Sequence, residues 1–396
     1  MASHREGVIP AHMQNLSIPA AAGLVVANFL FWGHWPVCAR FASIPSQPFG
    51  VLMVVTQTCI AWIACCMMGT PFFDALVADS AHPLAVLSVV AGGAALAIGD
   101  FSAAAAIEHL GIAVGGPVCF SCMLICGSIG DFALEGSAHP TLLFSGIAGC
   151  ICAVLADSQS HASHSTKPLS KADSAAGGEM EAVGPTTSTQ TQMEMGSMPH
   201  TKAACKDLPA VDATVLDVVP DAISATKHAG AASFRLGMVV AVAGGCIGGM
   251  WTVLSTLASH AHPLDPFVLL FYFHLGEVLF IVPVVLSYGK LFGGETSAAA
   301  LVGMIRSLTR RQTLWTAAAG GCIALGYLCY FATKSVVPRP VAYAFGCAAG
   351  STGMLYGLLV FKEYAGAAPS KKMLLLAALV LYPGSIALIA ASMGPK

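Results

Sequence analysis

Ten runs of about twenty apolar residues recur along this chain, a length that as helix crosses about 30 Å of hydrocarbon at 1.5 Å per residue. They fall near 17–38, 47–69, 83–106, 111–130, 140–156, 234–257, 266–288, 313–333, 338–361 and 373–392. Inside a bilayer every backbone N–H and C=O needs a partner within the chain, so runs of this length fold as helices and exclude open sheets. The chain is 56% hydrophobic and 10% charged, with mean hydropathy +0.75. Soluble domains carry about a quarter charged residues, so this composition excludes a soluble class. The first 16 residues are polar, and the run after them has no small-residue cleavage site behind a short apolar core. It reads as a helix and not as a removed signal.

One stretch is of different material. Residues 157–233 are rich in Ser, Thr, Lys, Asp, Glu and Gly, as in SQSHASHSTKPLSKADS. Such a segment cannot bury enough apolar surface to offset chain entropy, and it is predicted to be a disordered linker. It leaves a polar tail over 1–16, five helices over 17–156 and five over 234–392.

The halves share a motif. Pro117 and Val118 are followed, after eight residues, by Gly127, Ser128 and Gly130; Pro340 and Val341 are followed at the same spacing by Gly350, Ser351 and Gly353. GLVVA from Gly23 answers GMVVA from Gly237, and Trp35 answers Trp251 within two positions of register. Ala-Gly-Gly precedes Gly99 as it precedes Gly326. An odd number of helices per copy makes the two copies enter the membrane from opposite sides. The expected fold is therefore all-α and integral to the membrane, ten transmembrane helices in two inverted five-helix repeats.

Basic residues orient it. On the termini side lie Arg5, Lys334, Arg339 and Lys396; the other 14 of the 18 Lys and Arg fall on the linker side. Cytosolic loops carry the excess, so the linker is predicted cytosolic and the termini extracytosolic; the plasma membrane is the expected location.

A charge inside a bilayer is costly unless it faces a cavity or a partner, which makes such residues functional candidates. Asp100 lies near the middle of the third run and Glu277 near the centre of the seventh, with His274 one turn earlier on the same face. The alternative for both carboxyls is a structural hydrogen bond between helices. Burial disfavours a carboxylate's charged form, so Glu277 with His274 is expected to carry a coupling proton. Trp35, Trp251, Asp100 and His34 are expected to bind substrate, with indoles stacking on a flat ring and Asp100 on its polar edge. Lys334 and Arg339 bracket the turn between the eighth and ninth runs and are candidates for an anion contact, or end residues reaching for the interface. Gly127, Gly130, Gly350 and Gly353 are expected to let backbones approach closely.

Several classes are excluded. No GxxxxGK[ST] loop is present, so nucleotide-driven pumping has no support, and no HExxH or GxSxG motif points to an enzyme. The 14 cysteines lie mostly in apolar runs, and Cys119, Cys122 and Cys126 lack the second cluster a zinc site needs. No cofactor or metal is expected. A net charge of −2 gives no footing for nucleic acid.

GHWP at Gly33 to Pro36, GGAALAIGDFSAAAAIEHLGIAVGGPV from Gly92 to Val118, FYF at Phe271 to Phe273 and FKEY at Phe361 to Tyr364 resemble segments of the plant ureide permeases. These belong to the drug/metabolite transporter superfamily, whose members have ten helices in two inverted halves. The resemblance implies proton-coupled import of ureides or nucleobase-like heterocycles such as allantoin, uracil or xanthine. The family's Gly-x-Trp-Pro motif falls on Gly33, Trp35 and Pro36, and its Gly-Glu-Tyr motif on Glu363 and Tyr364, with Lys362 in place of Gly. The expected partners are a small polar substrate, protons and the bilayer, for a monomer or homodimer. A sugar or other polar metabolite carrier of the same superfamily, and a non-transporting membrane interaction protein, remain as alternatives.

Overall fold

Proline and capping residues mark where the helices begin. In this computed structural model, which describes residues 17–136, 139–162, 231–333, 336–337 and 339–392, α1 (Ile18–Ala42) opens on Pro19 with the Ser17 hydroxyl accepting from the Ala20 N–H. Pro83, Pro140, Pro266 and Pro369 each open a helix, where the missing N–H costs nothing. The helices are α1, α2 (Ser46–Met67), α3 (Thr70–Ser80), α4 (Pro83–Leu110), α5 (Ile112–Glu135) and α6 (Pro140–Ala162). After the linker come α7 (Ala231–Ala261), α8 (Pro266–Phe292), α9 (Ala298–Arg306), α10 (Arg310–Thr333), α11 (Arg339–Cys347), α12 (Gly350–Leu359) and α13 (Pro369–Ser392).

Nine of these, among the described residues, are long and apolar enough to span a membrane: α1, α2, α4, α5, α6, α7, α8, α10 and α13. The protein is thus all-α and multi-pass. Large apolar side chains such as Ile63, Leu87, Leu279 and Val380 point outward, the surface that lipid tails cover. The polar tail and residues 163–230, the bulk of the expected linker, lie outside the described residues, whereas 157–162 continue α6 and 231–233 begin α7.

The ninth run corrects the sequence reading. In place of one helix over 338–361 there are two, α11 and α12, separated at Ala348 and Ala349. Around the break the Ser351 N–H bonds the Ala348 carbonyl (2.9 Å) and the Thr352 N–H that of Ala349 (3.0 Å), so the spacing tightens by one residue. The Cys347 carbonyl, which a continuous helix would give to residue 351, accepts instead from the Tyr382 hydroxyl at 3.0 Å. The Ser351 hydroxyl also donates to the Ala348 carbonyl, at 2.6 Å.

Within the bundle α4 packs along α7 and α8, α1 along α10, α2 along α8 and α10, and α6 along α13. Small residues bring the backbones together. A Cβ at Gly93 would fall on the Phe273 carbonyl and one at Gly276 on that of Val90, so α4 and α8 touch backbone to backbone just where α8 carries Glu277.

Candidate functional site

That close approach sets Glu277 inside the bundle with no exposure to solvent. Its Oε2 pairs with Nδ1 of His274 at 2.5 Å, one turn earlier on α8, and accepts from the Gln57 amide of α2 at 2.7 Å. Gln57 also lies beside the carboxyl of Asp100 on α4, and Asp100 and Glu277 lie near enough to act on one another. One amide thus stands between two buried acids from different helices. Buried polar atoms are nearly always partnered, yet Glu277 Oε1, Gln57 Oε1, His274 Nε2 and Asp100 Oδ2 have no hydrogen-bond partner among the described residues.

Asp100 lines a narrow central cavity of about 10 Å³, room for about one water molecule. Its walls come from both halves of the chain. Trp32 and Trp35 stand on α1, Asp100 on α4, and Phe120 and Met123 on α5; Ile323 and Tyr327 stand on α10, and Tyr343 and Cys347 on α11. The cavity therefore lies beside both copies of the Pro-Val motif, and against the break after Cys347. Trp35 meets Phe120 edge to face with ring centres 6.2 Å apart. Tyr327 links the cavity to the acid cluster, its ring edge-on to His274 at 5.5 Å.

The sequence-predicted residues divide. Trp35 and Asp100 line the cavity, and His274 and Glu277 form the cluster behind it. Trp251 is buried one layer back, supporting Tyr343 (5.4 Å) and Tyr330 (5.6 Å) edge to face. His34 is turned away from the cavity: its ring bonds the Leu30 carbonyl at 2.5 Å and the Tyr356 hydroxyl at 3.1 Å. Lys334 lies outside the described residues, and Arg339 opens α11. Trp32, Gln57, Tyr327 and Tyr343 were not singled out from sequence. Gln57 could have been, because an amide in the middle of VVTQTCIAW is itself an intramembrane polar group; the aromatic residues carry no such signal.

The Glu363 and Tyr364 pair acts elsewhere. The Glu363 carboxylate accepts from the Ile112 and Ala113 N–H groups, at 3.1 and 3.0 Å, and so caps the start of α5 from the α12–α13 connection. Burial pushes its carboxyl up from the ordinary carboxylate range, against the opposite pull of those two N–H groups and of Arg40. The Tyr364 hydroxyl bonds Ser160 Oγ at 2.8 Å, near the end of α6.

A multi-pass helical protein with an aromatic cavity and buried acids at its centre has the form of a membrane carrier. The ureide permease family model matches residues 51–392, and the chain belongs to that family, a family of transporters. Neither the curated proteins nor the solved structures compared with it give a match.

Proposed function

We propose that this protein is a proton-coupled importer of ureides or nucleobase-like heterocycles, such as allantoin, uracil or xanthine. The observation that carries the reading is the junction of an aromatic cavity with unsatisfied buried acceptors and donors. A flat heterocycle presents two apolar faces and a rim of N–H and C=O groups. The indoles of Trp32 and Trp35 and the ring of Tyr327 offer the faces their surface. Asp100 Oδ2 offers an acceptor to a ring N–H, and Trp32 Nε1, unpartnered among the described residues, a donor to a ring carbonyl.

Glu277 is the proton carrier in this reading. Gln57 ties it to Asp100, so a change of charge at Glu277 is felt where substrate binds. The plasma membrane location, with a cytosolic linker and extracytosolic termini, belongs to the same proposal. So does the two-fold inverted repeat with ten crossings, α11 and α12 together making one of them. The order of elements supports the repeat: two long helices, a short one and three crossings occur in each half, with the α4 to α7 packing echoed by α10 to α1.

The test uses purified protein in liposomes with labelled uracil or allantoin and an imposed proton gradient. Accumulation above equilibrium is expected for the wild type. Glu277→Gln should abolish accumulation while exchange of substrate persists. Uptake of neither solute overturns the importer reading; an unchanged pH profile in the variant overturns the role of Glu277. Protease added to intact cells should spare the linker, and cleavage there from outside would overturn the orientation.

A further inference from the structure

Asp157, a second buried acid, takes no part in the central site. It lies on the last turns of α6, 1% exposed, and neither carboxyl oxygen has a hydrogen-bond partner among the described residues. It borders a separate small cavity of about 10 Å³, whose other walls are Pro117 and Ser121 of α5, Ala153 and Val154 of α6, Met354 of α12 and Tyr382 of α13. Tyr382 links this wall to the central cavity. Its hydroxyl donates to the carbonyl of Cys347, whose side chain lines the central cavity, so the two cavities lie on either side of the α11–α12 break.

The titratable and charged groups around Asp157 are few. From the α12–α13 connection come Glu363, close enough to act on its charge, and Tyr364. From α13 come Tyr382 in the cavity wall and Lys371, whose ammonium is committed to the Gln159 carbonyl at 2.8 Å. The α5 and α12 side chains in the wall are uncharged, and where α6 meets α7 the contact is Ser158 Oγ on the sulfur of Met238. An ionised carboxylate here has no cation to offset it among the described residues, and of the hydroxyls in the wall that of Tyr382 is given to Cys347 while that of Ser121 makes no bond to it. A metal cation would need a shell of about six oxygens, more than one carboxylate and the Ser121 and Tyr382 hydroxyls supply. A proton needs only the carboxylate.

We propose that Asp157 is a second proton-exchanging site of this protein, separate from the Glu277 cluster and placed where α6 leads into the linker. Uptake converts carboxylate and hydronium to carboxylic acid and water, and release reverses the step. Glu363, partly exposed on the α12–α13 connection, is the nearby acid whose charge acts on Asp157. Its part in the transport cycle, though not the exchange itself, rests on the importer reading above.

Infrared titration of the purified full-length protein tests the exchange without any substrate. A buried carboxylic acid band should appear and vanish with pH, be lost in Asp157→Asn and persist in Glu277→Gln. Asp157→Glu should restore a titrating band at a shifted frequency, which also covers the case in which Asp157→Asn fails to fold. A spectrum of folded Asp157→Asn identical to wild type at every pH, or a band that responds to sodium at fixed pH, overturns the proposal. Labelled-uracil uptake in liposomes separates the two readings. Failure of the wild type to accumulate uracil or allantoin removes the importer and leaves the band assignment standing, whereas an unchanged uptake pH profile in Asp157→Asn removes Asp157 from the cycle.

Discussion

The two copies of the Pro-Val motif have the same residues at the same spacing and different structures. Around Pro117 to Gly130 the chain is a single helix of 24 residues; around Pro340 to Gly353 it is two helices of nine and ten. Both stretches are apolar and rich in small residues, so local propensity does not separate them. Their neighbours do. Along α5, Gly127 packs on α7, where a Cβ would lie 2.7 Å from Thr252 Oγ1, and the contact is one helix laid against another. Beside Cys347 a tyrosine hydroxyl from α13 takes a carbonyl out of the helical ladder. Broken helices at the centre of transporters expose backbone where a cavity can use it, and this break borders the central cavity.

The comparison can be broken most strongly on its continuous side. A Cβ at Gly249 would fall on the Met123 carbonyl and 3.1 Å from the Gly127 nitrogen, so Gly249→Ala must push α5 off α7. It should cost about 1–3 kcal/mol, seen as a lowered Tm in detergent. An unchanged Tm would mean that the α5–α7 contact is looser than the structure has it. The cavity between the two motif copies comes next. Asp100→Ala should weaken substrate affinity about tenfold, roughly 1.4 kcal/mol, with surface expression retained. Affinity within about twofold of wild type would make Asp100 structural and place the substrate elsewhere.

The smallest effect sharpens the comparison. Tyr382→Phe frees the Cys347 carbonyl to rejoin the ladder, at a stability cost of about 1 kcal/mol for the lost hydrogen bond. Amide exchange at Ser351 should slow if the two short helices then merge. Exchange as fast as in wild type would show that the break is held by something other than Tyr382.

Much of the site was legible before the fold was. Asp100, Glu277 and His274 stand out because ionisable groups are rare in apolar runs, and His274 and Glu277 do meet at the three-residue spacing that puts side chains on one helix face. Trp35 reached the cavity while His34, its neighbour in GHWP, did not, because adjacent residues on a helix point about 100° apart. The sequence placed both on one helix and could not choose the face, since α1 is apolar all round. Gln57 pairs with a residue 220 positions away, a relation that no window of twenty residues contains.

Hydropathy is a property of each residue and its near neighbours, and the bilayer responds to it locally. The class of the protein, the approximate position of nearly every span and the candidacy of Asp100 and Glu277 therefore followed from the chain alone, whereas Asp157, buried on α6, was read as the start of the linker. The break at Ala348 and Ala349, the pairing of Glu277 with Gln57, the supporting role of Trp251 and the isolation of Asp157 were decided by which helices came to lie against which. Those are contacts between segments far apart in sequence, where one hydroxyl or one glycine backbone shifts the balance between alternatives of nearly equal local energy.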